Sequence, residues 1–199
     1  MIQPSCFTRR QSAFTLIELI IVVGIIALLA AIAIPNMLEA QIRAKVSRSV
    51  SDMRTLATAI ESYRVDNNNY PAENYPSPEL ITFAGKQFLP NSVKLRPLTT
   101  PVAYQSGLPI DVFAPPTDPL NQVGPRTYHY VSVNDPLYPS DESFFRGGNP
   151  EGLHLQWMLQ STGPDQGADG PNSSTYWQFP RYDPTNGTVS IGNILRHGP

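Results

Sequence analysis

Glu18 is the residue whose position most needs a chemical explanation. It lies inside residues 14–34 (FTLIELIIVVGIIALLAAIAI), where Leu19 to Ile34 carry no polar side chain. Insertion scales put an acid at the centre of a membrane helix at about 2.5–3.5 kcal/mol, less near an end, so such a residue is a functional candidate and needs a partner. Other candidate chemistry is thinner. His129, His154 and His197 are scattered without metal-ligand spacing, and on alternating strands such residues serve packing or the surface. There is no G-x-S-x-G, no phosphate-binding glycine loop and no Cys/His cluster, so catalysis is not expected. Oxygen-bearing residues gather in two turn-rich stretches, 161–170 (STGPDQGADG) and 182–188 (YDPTNGT). The second is a turn by composition, with Asp183 or Asn186 available to cap it.

The elements that must position these groups begin with the apolar run. Its 21 residues suffice to cross a ~30 Å hydrocarbon layer at about 1.5 Å per residue. A secretory signal peptide has a shorter core and a small-x-small cleavage site before a polar mature start, which this stretch lacks. Pro35 follows. Beyond it Leu38, Ile42, Val46, Val50, Met53, Leu56 or Ala57, Ile60 and Tyr63 recur at three- and four-residue steps, one apolar stripe on a helix. The helix should therefore run over 14–65, with Pro35 kinking or locally melting it. The cluster 66–71 (DNNNYP) ends it, because Asn tolerates left-handed geometry and Pro cannot continue a helix.

Composition changes sharply there: 19 of the 21 prolines lie in 71–199, which predicts loops and short strands. A short helix is expected around 78–84 and strands over 127–133 (TYHYVSV), 153–159 (LHLQWML) and 188–195 (TVSIGNIL), with a fainter fourth at 176–179. The expected fold class is α+β, a long N-terminal helix packed on a small antiparallel sheet with long loops. Without residues 1–13 the chain has 12 basic against 16 acidic residues, and it has no basic stripe, so nucleic acid is not an expected partner. The one cysteine, Cys6, lies within 1–13, leaving packing or metal to hold the remainder.

Ala13-Phe14-Thr15-Leu16-Ile17-Glu18 resembles the processing site of type IV prepilins and of the pseudopilins of type II secretion, with Arg9 and Arg10 in a short basic leader. The resemblance implies cleavage between Ala13 and Phe14 by a prepilin peptidase, followed by methylation of the new Phe14 amine. Ala13 stands where the family usually has Gly, so slower cleavage is expected. The cleaved amine would lie four residues from Glu18. In a stack of subunits the Phe14 ammonium of one copy could meet Glu18 of the next, making Glu18 a register device satisfied only in the polymer. Phe14, Glu18 and Pro35 are thus the expected assembly residues.

The resemblance extends to the 66–71 segment and to Thr117-Asp118-Pro119, similar to a turn that precedes the pseudopilin sheet. It extends also to the 161–170 loop, similar to the family's calcium loop. Calcium takes six to eight hard oxygens, which implies Ser161, Asp165, Asp169 and nearby carbonyls as ligands. Asn172 and Ser173 replace a further acidic pair, so a weak site is expected. The organisation implied is a leader (1–13), a membrane and filament-core helix (14–34), its amphipathic continuation (35–70) and a loop-rich periplasmic domain (71–199).

The protein is expected in the inner membrane as a single pass, its N-terminus cytoplasmic. Arg43, Lys45 and Arg48 on the far flank offset Arg9 and Arg10, so orientation rests on the resemblance. The expected role is that of a major pseudopilin, polymerising with itself and working with minor pseudopilins and the inner-membrane secretion platform. A type IV pilin for adhesion or motility is the alternative within the class. A membrane-anchored periplasmic carbohydrate-binding domain, stacking sugars on Tyr176, Trp177 and Tyr182, is the alternative outside it.

Overall fold

The computed structural model describes residues 14–71, 81–83, 86–116, 124–133, 154–166, 181–185 and 192–199. The chain divides into two compact units, 1–40 and 41–199. In the first, the described residues are dominated by the apolar start of helix α1 (Leu16–Asn67). Its large side chains are exposed, from Phe14 through Leu38. Helical geometry runs through Pro35 without interruption, so the expected local melting is absent. One proline removes a single backbone donor, and the turns on either side keep theirs. At the far end Asn68 adopts a left-handed φ of 53° and donates its N–H to the Arg64 carbonyl at 2.8 Å. Asn tolerates that conformation, which stops the helix where the Asn cluster predicts.

The second unit is organised on the rest of α1. Met53, Leu56, Ala57 and Ile60 are buried, and Val46, Val50 and Tyr63 pack against the same core. The predicted stripe is therefore covered from Val46 onward, while Leu38 stays exposed. The covering surface is a three-stranded antiparallel sheet of β3 (His129–Ser132), β4 (Trp157–Ser161) and β5 (Ile194–Gly198), with β4 central. Tyr128, Tyr130, Trp157, Leu159 and Ile194 join this core from the sheet side, and Leu95, Leu98 and Phe113 from the segment between helix and sheet. Each fully buried large apolar side chain contributes about 1.5–3 kcal/mol relative to exposure. This is the expected α+β layout.

Polar bonds tie the sheet side to the helix. Tyr128 Oη donates to Asp52 Oδ2 at 3.1 Å, Trp157 Nε1 to Glu61 Oε1 at 2.6 Å and Tyr104 Oη to Asp66 Oδ2 at 2.9 Å. A Cβ at Gly198 would overlap the Trp157 indole, so glycine opposite Trp157 lets the ring lie flat across β5.

Several strand boundaries differ from expectation. β4 begins at Trp157 rather than 153 and continues to Ser161, and β5 begins at Ile194 rather than 188. Pairing sets these limits: Trp157↔Gly198 and Ser161↔Ile194 define a five-residue ladder that alternation alone does not locate. In place of the predicted helix around 78–84 stands a hairpin of β1 (Ile81–Phe83) and β2 (Lys86–Phe88). Ile, Thr and Phe favour a pleated strand over a helix. The fainter strand at 176–179 and the turn at 117–119 fall outside the described residues.

A short helix not anticipated, α2 (Asn91–Lys94), protects the sheet edge. Asn91 Oδ1 accepts the Tyr130 N–H at 3.2 Å and Lys94 Nζ donates to the Tyr130 carbonyl at 3.3 Å. Two side chains thus occupy backbone groups that an edge strand would otherwise offer to another chain.

Candidate functional site

Two places carry the residues singled out by sequence. At the helix start, the Thr15 N–H and Oγ1–H both donate to Glu18 Oε2, at 2.9 and 2.7 Å, and the Glu18 N–H donates back to Thr15 Oγ1 at 3.3 Å. This is a reciprocal capping box: a Thr just outside the helix and a Glu three residues on satisfy donors that the first turn leaves over. The T-x-x-E signature is legible in the sequence. It corrects one expectation, since Glu18 is not satisfied only in a polymer; its carboxylate already holds the start of its own helix. Phe14 lies next to this box, 86% exposed. Ala13 is outside the described residues, so the expected cleavage point has one described side.

The second place is the end of β4. Ser161, fully buried, donates its hydroxyl to Asp111 Oδ1 at 2.8 Å, and Oγ accepts the Gly163 N–H at 3.5 Å. Asp111 Oδ1 also accepts the Phe113 N–H at 2.9 Å, closing a turn, and Thr162 Oγ1 donates to the Phe113 carbonyl at 2.9 Å. Asp165 Oδ2 accepts the Gly192 N–H at 3.2 Å. Gly163 has φ 75°, and a Cβ there would strike the Gly192 carbonyl oxygen and reach 3.6 Å from Asp165 Oδ1. The glycine therefore leaves open the space where a carbonyl and a carboxylate converge.

Ser161 and Asp165 thus sit near one turn, whereas Asp169 lies outside the described residues. Asp111, 50 residues before Ser161 in the chain, was not anticipated as part of this group. Among the described residues no three His, Cys, Asp or Glu cluster as a metal site would require. The donors present are oxygens only, which suits calcium by type.

The remaining candidates do not converge. His129 is on β3 and His197 on β5, paired opposite Gln160 and Met158 of the intervening strand. Asp183 accepts the Thr185 N–H at 2.8 Å and its hydroxyl at 2.7 Å, a turn as its composition predicts, and these bonds hold its carboxyl below the usual range. Tyr182 packs against the core rather than standing out as a stacking platform, and Tyr176 and Trp177 are outside the described residues.

Residues 8–34 match the family described as the prokaryotic N-terminal methylation motif. Relatives are similar to part of the chain. It is 41% identical over 63 residues to the type II secretion system core protein G of Aeromonas hydrophila, covering 32% of this chain and 44% of that protein. The Escherichia coli K12 protein of the same name is 35% identical over 74 residues, covering 37% of this chain and 51% of its own. The type IV major pilin protein PilA of Myxococcus xanthus is 47% identical over 66 residues, covering 33% of this chain and 30% of its own. The chain thus spans about half the length, or less, of these relatives. No solved structure matches it.

Proposed function

We propose that this chain is a structural subunit of a pilin-like filament, a major pseudopilin of a type II secretion system, and that it catalyses no reaction. The observation that carries the reading is the joint at Phe14: a methylation-motif match over 8–34 that ends with the 14–34 apolar stretch, and an acid at the fifth position beyond the expected cut. Helix α1 is long and apolar enough to cross a membrane, and the large apolar side chains of its first half are exposed. In the proposed role the segment anchors the subunit as a single pass, N-terminus cytoplasmic and domain periplasmic, until prepilin peptidase cleaves after Ala13. The helices then stack, Phe14 ammonium to Glu18, into a filament whose partners are further copies, minor pseudopilins and the inner-membrane secretion platform. Peptide mass spectrometry tests this directly. The mature protein should begin at Phe14 carrying one methyl group; an intact N-terminus at Met1 in the producing cell would overturn the proposal.

The similarity to PilA favours a second reading as a type IV pilin. The two differ in where the filament goes. Loss of extracellular enzymes on deletion supports the first, and loss of surface fibres with secretion intact supports the second.

We propose also that the turn after β4 binds calcium weakly, in the millimolar range typical of extracellular modules. Ser161 and Asp165 lie at that turn, Asp169 follows it in sequence, and the donors there are hard oxygens. The ion would offset carboxylate charge and tie the turn to β5.

A further inference from the structure

A pocket of about 410 Å³ lies beside α2 and shares no residue with the two places described above. That volume falls within the range of about 300–1,000 Å³ typical of ligand sites. Ser92 and Val93 of α2 are buried in its floor, and Arg96, Ser106 and Gly107 stand exposed at its rim. The walls are fixed to the core. Arg96 opens a 3₁₀ turn (Arg96–Leu98) whose flanking Leu95 and Leu98 are fully buried. The Arg96 carbonyl accepts the Thr99 N–H and the Thr99 hydroxyl, both at 2.9 Å. The Leu98 carbonyl accepts the N–H groups of Tyr104 and Gln105 at 2.9 and 3.1 Å, which ties the 106–108 wall back onto the same turn. Gly124 brings in the third wall with φ 76°, and a Cβ there would come to 2.8 Å from Ser92 Oγ, so only glycine lets the backbone approach so closely.

The chemistry of these walls is one-sided. Arg96 is the one charged residue among those lining the pocket, and no acid lines it. A guanidinium fork matches a carboxylate in shape, and such charge-assisted bonds are stronger than neutral ones. A single positive charge also suits a carboxylate better than a phosphate group, which carries about −1.5 to −2 at neutral pH. A small molecule in its site is usually about 70–90% enclosed, whereas the exposed rim here leaves one side open, as a side chain carried on a longer chain requires. We propose that this pocket binds an acidic side chain borne on an extended peptide. Arg96 pairs with the carboxylate, and Val93, Leu108 and Pro125 receive the apolar side chains next to it.

The test uses the full chain in detergent micelles and the fluorescence anisotropy of a labelled pentapeptide with one glutamate between leucines. The same peptide with glutamine, and N-acetylglutamate amide as an unlabelled competitor, complete the set. The glutamate peptide should bind, and the glutamine peptide should bind about tenfold or more weakly. Arg96→Gln should lose the same factor, and Arg96→Lys should recover part of it, because lysine keeps the charge without the fork. Arg54→Gln, which removes an exposed arginine of α1, should bind as wild type. Gly107→Val adds bulk at the rim where a Cβ meets nothing within 4 Å, so it should weaken binding with the charge unchanged. A silent glutamate peptide, equal binding of the glutamine peptide, or an Arg96→Gln variant no weaker than Arg54→Gln would each overturn the proposal. A competitor as tight as the whole peptide would overturn the peptide and make the ligand a small acid. Should Arg96→Gln fail to fold, Gly107→Val decides, because unchanged binding there would remove the pocket from the account.

Discussion

Glu18 carries two demands on one carboxylate. Its bonds to Thr15 hold the first turn of α1, and the proposed filament asks it to meet a cation on an adjoining copy. An acid in apolar surroundings that already has local donors is cheaper to carry before assembly than one without them. The two roles separate by substitution. Glu18→Gln keeps an oxygen that can accept from Thr15 but removes the charge, whereas Glu18→Ala and Glu18→Val remove both. All three should insert normally and fail to yield pelletable filaments, because losing one side of a buried ion pair costs about 3–5 kcal/mol per contact. Wild-type filament yield from Glu18→Gln would show that charge is not what assembly reads. Gln166 offers a prediction of the opposite sign. It has φ 48°, a left-handed conformation that side chains resist at about 1–2 kcal/mol. Gln166→Gly should therefore raise stability by about 0.5–1 kcal/mol once the added chain entropy of glycine is deducted, measurable as a higher urea midpoint.

The helix and the sheet are joined by an apolar core with acids at its margin. Tyr128 illustrates the consequence. Burial first, then the negative charges of Asp111 and Asp52, pushes its phenol well above the ordinary tyrosine range. Tyr104, between Tyr63 and Asp66, is raised by desolvation and by its bond to Asp66. A raised value means the folded state holds the proton more tightly than the unfolded chain. The stability this contributes is complete below the unfolded tyrosine pKa of about 10 and is lost as pH climbs beyond it. Unfolding midpoints should therefore be level from neutral pH to about 10 as far as these groups are concerned and fall above it. Tyr128→Phe should flatten much of that fall and cost about 1 kcal/mol at neutral pH through the lost bond to Asp52. A slope unchanged by Tyr128→Phe would assign the alkaline loss elsewhere. Elements also differ in how far sequence discloses them. The 3.6-residue stripe and the Asn cluster announced α1 to within two residues at its C-terminal end, because periodicity and termination are local properties. β4 and β5 were placed several residues early, since their limits depend on which residues face each other across the ladder. The pairing of β1 with β2 leaves no sequence signal, because a three-residue strand is too short to show alternation.

Taken as one protein, the chain is similar to its relatives over about a third of its length, and the methylation-motif match falls over residues 8–34. The 14–34 stretch answers to lipid thickness and to helix-start chemistry, both written in consecutive residues, so the apolar helix and its acid could be read without coordinates. The T-x-x-E box belonged to the same legible set. Coordinates were needed for whatever depends on residues far apart in the chain. Asn91 and Lys94 cover the Tyr130 edge, Gly198 makes room for Trp157, and Asp111 reaches Ser161 across 50 positions. No local pattern encodes such meetings, because they arise when an apolar helix face and a sheet close over each other and every buried polar group must find its donor or acceptor within that enclosure.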